Sequence, residues 1–236
     1  MADKKGTGLL MVWADIPADK EEDFNNWYNT EHLAELLSIP GVLNAARYEA
    51  VSSGPKHLAC YELESAAVVE NEAFKGLTRT EWGSRVSPSI IGTNFISNTY
   101  EMVHPTALTP GIAGSGMANA LQIGRMDIGP ENEEEWNRWY SGIYVPNYEK
   151  VPGVIRGRRW KATRGSPAYA VVYEFENENV SSTPAWEAQR DADPSTARIR
   201  PMMTHAPGSP GIWRKTFELY DAGRVRLGLF GGTLEV

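Results

Sequence analysis

The sequence predicts an α+β fold built from two copies of one small unit. The stretch WYNTEH, Trp27 to His32, returns in part as WYSGIY, Trp139 to Tyr144, 112 positions further on. That offset holds without a gap across most of each half: Asp15-Ile16 meets Asp127-Ile128, and Pro40-Gly41-Val42 meets Pro152-Gly153-Val154. Arg47 likewise meets Arg159, and Tyr61-Glu62 meets Tyr173-Glu174. A period this long, present twice, marks a domain-sized unit and not a solenoid repeat.

Each element of the unit can be justified in order. GLLMVWADI, residues 8–16, is a short apolar run ending in turn chemistry, as in a buried strand. PADKEEDFNNWYNTEHLAELLSI opens with Pro, places acids in the first turn and repeats bulky groups at 24, 27, 28, 31, 32, 35 and 36, which is helical spacing with one buried face. Pro40-Gly41 stops that helix. VLNAARYEAV follows as a second strand, SSGP as a turn, and HLACYELE as a third strand alternating with period two. A second amphipathic helix is expected around 68–85 and a fourth strand over 93–103. The order β-α-β-β-α-β is the split βαβ, or ferredoxin-like, unit. One such sheet alone leaves an apolar face bare. The expected architecture is therefore two tandem ferredoxin-like repeats packed sheet to sheet as a pseudo-two-fold α+β barrel with the helices outside. Its parts would be a first repeat at 8–103, a linker at 104–119, a second repeat at 120–220 and a C-terminal tail at 221–236.

Composition narrows the function classes. A hydrophobic content of 42% with 22% charged residues suits a folded globular chain. The net charge of −7 argues against a nucleic-acid or anionic-membrane surface, and no apolar run approaches membrane-spanning length. Cys60 has no partner for an intrachain disulfide and the N-terminus lacks a signal-peptide pattern, so a cytoplasmic location is expected. The partners expected are a small-molecule substrate and, as a homodimer through a further interface, a second copy of the chain. The four histidines form no helical zinc motif, and GIAGSG at 111–116 follows no strand, so it reads as linker and not as a phosphate loop. No metal site is expected.

Taken together, F-N-x-W-Y-x-x-E-H, then I-P-G-V-x-x-x-A-R-Y, then Y-E-L-E-S resemble the dimeric α+β barrel superfamily, and within it the EthD-like proteins of ethyl tert-butyl ether degradation. The resemblance spans about residues 8–103 and 120–220. It implies the barrel fold, a pocket between helices and sheet, and a candidate catalytic His in the Glu-His dipeptide, here Glu31-His32. The superfamily includes cyclases, isomerases, cofactor-free monooxygenases and haem-binding proteins, so the fold does not fix a reaction.

The candidate residues follow. His32 falls on the buried stripe with Phe24 and Tyr28, where imidazole can take and return a proton near neutral pH. Glu31 could orient it or face solvent. Tyr61 offers a phenol to a developing oxyanion. Trp27, Tyr28, Trp139, Tyr140 and Tyr144 would wall a pocket for ring-shaped ligands, and Arg47 could clamp a carboxylate. Because the second copy has Ile143-Tyr144 where the first has Glu31-His32, one active site per chain is expected. The leading expectation is a cofactor-independent enzyme of lyase or isomerase type. It would do proton-transfer chemistry on an aromatic or carbonyl-bearing catabolic intermediate. The alternatives are a haem-binding or haem-degrading oxygenase and a non-catalytic ligand-binding or accessory protein.

Overall fold

The computed structural model describes residues 3–220, together with the backbone of two short strands, Val225–Arg226 and Thr233–Leu234. The rest of the expected tail, 221–236, lies outside the described residues.

Eight antiparallel strands close into a barrel. They are β1 (Gly8–Asp15), β2 (Val42–Ser52), β3 (His57–Leu63), β4 (Thr93–His104), β5 (Ala120–Ile128), β6 (Val154–Arg164), β7 (Tyr169–Phe175) and, after a short strand β8 (Met203–His205), β9 (Gly211–Tyr220). The first half runs β4-β1-β3-β2, and the second places β7 between β5 and β6. Two seams join the halves by edge pairing: β2 with β9, where Arg47 faces Phe217, and β4 with β6, where Met102 faces Trp160. Closure leaves none of the eight strands with an unpaired edge, which removes a route to aggregation. The sheets therefore do more than pack face to face, because the same backbone ladder runs across both seams.

Every residue of β3 and β7 is buried, since one face looks into the barrel and the other lies under helices. The inner face is filled by Met11, Trp13, Tyr48, Cys60, Trp160 and Trp213, among others, so the barrel is a packed core and not a channel. Charge is buried there too. Glu62 and Glu174, equivalent positions of the two halves, converge on Arg158: its Nη1 donates to Glu62 at 3.1 Å and its Nε to Glu174 at 3.2 Å. Lys5 lies 3.4 Å from Glu62 and 3.2 Å from Glu174, and Arg156 joins Glu174 at 3.4 Å.

On the outer face of each half lies one long helix with a π turn in its middle. In the first half the pieces are Glu21–Trp27, the turn Tyr28–His32, and Leu33–Leu37; in the second they are Glu133–Trp139, Tyr140–Tyr144 and Val145–Tyr148. The π hydrogen bonds run from Leu33 N–H to the Tyr28 carbonyl and from Val145 N–H to the Tyr140 carbonyl. The repeated hexamer thus forms the widened turn in both halves. An α-helix would separate residues i and i+5 by roughly 140°, but the wider turn brings them over one another. Trp27 stacks on His32 at 4.4 Å, and Trp139 meets Tyr144 at 4.6 Å.

The expected second helix over 68–85 is not one helix. The chain there forms short pieces, Ala66–Glu70, Glu72–Lys75, Glu81–Val86 and Pro88–Ile91. Gly76 ends one, and new caps start others: Asn71 accepts from Phe74 N–H at 2.7 Å and Thr80 from Gly83 N–H at 2.9 Å. Pro88 begins the last. The expected fourth strand, 93–103, is present as Thr93–His104. The 104–119 stretch carries a short helix, Pro110–Ala113, and its Met117 and Ala118 pack into the barrel core.

Candidate functional site

Between the first long helix and the outer face of β1, β3 and β4 lies a cavity of about 420 Å³. Leu10 and Val12 form its floor with Tyr61, and the π turn supplies Trp27, Tyr28 and His32. The broken segment roofs it with Phe74, Leu77, Thr78, Arg79 and Thr80, while Phe95, Ser97 and Thr99 of β4 and Arg164 of the second half line its remaining side. The volume suits a ring-bearing metabolite in an apolar site with a few directed polar groups.

His32 is half-buried, with its ring flat against Trp27 and edge-on to Tyr28 at 5.0 Å. Its Nδ1 lies 3.2 Å from Glu35 Oε2. An ionised Glu35 can only accept, so Nδ1 carries the proton and Nε2 keeps its lone pair. Burial pushes the His32 pKa below its usual value, against the opposing pull of Glu35 and Glu31. Neutral imidazole is thus the form present at pH 7, as a proton acceptor requires.

Beside it, Tyr61 donates to the Tyr28 hydroxyl at 3.0 Å. Both phenols are raised by burial, but for Tyr28 the Tyr61 hydrogen bond and the Arg47 charge work in the opposite direction. Tyr61 spends its proton on Tyr28, which leaves the Tyr28 proton free to be donated.

Two expected site residues are placed elsewhere. Glu31 accepts from Trp27 Nε1 at 2.9 Å and from the Thr80 hydroxyl, so it ties the stacking indole to the roof and does not contact the imidazole. Its counterpart is Ile143, and the Trp139 indole N–H is accordingly without a partner among the described residues. Arg47 is 4% exposed and lies outside the cavity; it donates to Asn29 at 2.9 Å and Asn25 at 2.7 Å and covers the rings of Phe24 and Tyr28. It holds the helix onto β2, as Arg159 does through Asn137 and Ser141. Glu35 is a site residue that the sequence reading missed; the signal was its i+3 spacing from His32 on a helix.

Trp139, Tyr140 and Tyr144 are not brought to His32. Tyr140 and Tyr144 line a separate cavity of about 100 Å³ in the second half. There Tyr144 and Tyr148 stand at the positions of His32 and Leu36, and Trp186 at that of Phe74, so added ring volume fills most of the equivalent space.

A third group is Glu21, Glu49 and His57, whose ligand atoms lie within 4.8 Å of one another. Lys56 already bonds Glu21, and His57 Nε2 sits 3.2 Å from Glu21 without hydrogen-bond alignment. Burial and the Arg47 charge depress the His57 pKa to about 4. An unfolded chain would protonate this group near 6.5, so folding stability falls as pH drops from about 6.5 towards 4, by about 2–3 kcal/mol at pH 4.5. His57→Phe should lose less stability than wild type between pH 7 and 4.5 by that amount, as measured by urea unfolding. Equal losses in the two proteins would contradict the assignment.

No family model and no curated protein matches the sequence. Solved structures share its fold. An anthrone oxidase-like protein is 15% identical over 99% of both chains, with a TM-score of 0.63. A haem-binding protein from Thermus thermophilus is 13% identical over 92% of each, at 0.56. A variant chlorite dismutase from Candidatus Nitrospira defluvii is 11% identical over 91% of this chain and 95% of that one, at 0.55. At such identities the likeness shows the fold, that of the dimeric α+β barrels. Among the described residues no helix is long and apolar enough to cross a membrane.

Proposed function

We propose that the chain is a small-molecule enzyme that moves a proton on a ring-bearing carbonyl or phenolic substrate, with its single active site in the first half. The observation that carries this reading is the His32–Glu35 pair, which opens with the Tyr28–Tyr61 pair onto one cavity. In this mechanism the substrate ring lies in the apolar cavity, and His32 Nε2 removes a proton next to the carbonyl. Tyr28 donates to the oxygen as negative charge develops there, and Tyr61 supports Tyr28. From the resulting enolate, protonation at another carbon gives isomerisation, attack on a second carbonyl carbon of the substrate with protonation of its oxygen gives ring closure, and expulsion of a β-substituent that takes the proton gives elimination. The anthrone oxidase-like neighbour suggests fused-ring ketones such as anthrones as first test compounds. We also infer that the chain is a tandem EthD-like duplication of ferredoxin-like units, 8–103 and 120–220, in which the second copy lost the Glu-His pair.

Haem is the cofactor that the haem-binding neighbour brings into consideration. His32 backed by a carboxylate is a donor of the kind that ligates iron, since a ligating imidazole usually gives its other N–H to such a group. The His32–Glu35 and Tyr28–Tyr61 pairs already supply a proton acceptor and a proton donor without it. The reading therefore stays cofactor-independent. A Soret band on haemin titration that disappears in His32→Ala would reverse it.

The test is a thermal-shift and turnover screen of ring ketones, lactones and polycyclic phenols. Ligands that bind but emerge unchanged would leave a carrier. For any compound that turns over, the rate should fall on acidification through the depressed His32 pKa. Glu35→Gln removes the strongest influence raising that pKa, so the acid limb of kcat/KM should move to lower pH. A limb that stays in place would assign the profile to another group.

A further inference from the structure

The small cavity of the second half has a chemistry of its own. Tyr173 is 3% exposed and lines it, yet its hydroxyl has no partner among the described residues. The same is true of buried Arg200 Nε and Gln122 Oε1 at its wall. Arg190, Arg200 and His205 also line the cavity, no lining side chain is a carboxylate, and neither arginine forms an ion pair among the described residues. Of the buried arginines elsewhere, Arg158 is matched by Glu62 and Glu174, and Arg47 and Arg159 by side-chain amide and hydroxyl oxygens, whereas neither Arg190 nor Arg200 has a side-chain partner among the described residues. An orphaned phenol and an unpartnered, buried Arg200 Nε around one cavity, with Arg190 exposed at its rim, form a donor set suited to an anion.

We propose that this cavity is a second binding site, separate from the His32 site, for a compact oxyanion. The anion would be a small carboxylate or an inorganic oxyanion. Against about 30 Å³ per water molecule, a volume of about 100 Å³ admits a ligand of roughly three to six non-hydrogen atoms. Arg200 and Arg190 supply charge, and Tyr173 donates its hydroxyl proton to an oxygen. The Gln122 amide, turned by half a rotation, presents its NH₂ in place of the orphaned oxygen. The rings of Tyr140, Tyr148 and Trp186 exclude water from the other side. This proposal rests on none of the His32 chemistry.

The experiment titrates the full chain with acetate, bicarbonate, nitrate and phosphate, with chloride at matched ionic strength as reference, and reads the unfolding midpoint and calorimetric Kd. At least one oxyanion should bind saturably where chloride does not. Its Kd should rise at least tenfold in Arg200→Gln and several-fold in Tyr173→Phe, and should be unchanged in His32→Ala. Arg190→Gln, at an exposed position, provides a variant that does not threaten folding and should also weaken binding. Saturation by acetate alone marks a carboxylate site, and saturation by phosphate or nitrate an inorganic one. The proposal is overturned if no oxyanion exceeds chloride, if binding survives Arg200→Gln, Arg190→Gln and Tyr173→Phe, or if it is lost in His32→Ala.

Discussion

His32→Ala should lower turnover of a ring-ketone substrate by roughly 10²–10⁴-fold while leaving its affinity nearly unchanged. The asymmetry follows from the cavity. Its walls are Leu10, Val12, Phe74 and the Trp27 ring, which stay in place, whereas the imidazole is the proton acceptor of the proposed step. Trp27 loses a stacked neighbour at 4.4 Å, but Glu31 and Thr80 still hold its indole. A thermal shift by the same ligand in both proteins checks binding, and turnover checks chemistry. The reverse experiment is equally informative: Tyr144→His should create no activity, because the counterpart of Glu35 is Asn147 and the space is about 100 Å³.

The second large effect is on stability. Arg158→Met should destabilise the chain by about 3–5 kcal/mol, because it leaves Glu62 and Glu174 buried with too little opposing charge. At 2% side-chain exposure or less, neither carboxylate can turn to water. Burial alone would raise the Glu174 pKa; Lys5, Arg158 and Arg156 together hold it below the usual carboxylate value. With its folded pKa lowered, Glu174 contributes stability above its unfolded pKa that is lost as pH falls through the folded one. Arg158→Met should therefore flatten the acid side of the stability profile as well as lower the whole curve. Pairing it with Glu62→Met should recover part of the loss, since Lys5 and Arg156 then suffice for Glu174. Chemical denaturation of the single and double variants measures both effects, and a double variant no more stable than the single one would show that the carboxylates were not the cause.

The repeat made much of the fold legible. A strand or helix expected from one copy is checked by the other, so the strands and the long helices stand close to their expected places. The seams were not legible, because β2 with β9 and β4 with β6 pair across long separations through backbone groups that carry no sequence pattern. The segment over 68–85 has apolar spacing but also Gly76, Gly83 and two internal caps, and local capping won over periodicity.

At the site, His32, Tyr28, Trp27 and Tyr61 were legible because buried polar and aromatic residues stand out on an amphipathic stripe. Of the two roles open to Glu31, orienting the imidazole or facing away from it, the first falls to Glu35, because consecutive side chains on a helix diverge while i and i+3 meet. By its charge alone Arg47 could clamp a ligand's carboxylate. Alternation sends Arg47 out to Asn25 and Asn29 and Glu62 into the barrel.

The central claim, that His32 removes a proton from a carbon beside a carbonyl, is tested most directly by deuterium exchange. A ring ketone shown by thermal shift to bind would be incubated with enzyme in deuterated water, and its α-position followed by NMR. The account expects exchange with wild type, its loss in His32→Ala at saturating ligand, and much slower exchange in Tyr28→Phe. Equal exchange in wild type and His32→Ala, with the ligand bound in both, would contradict it.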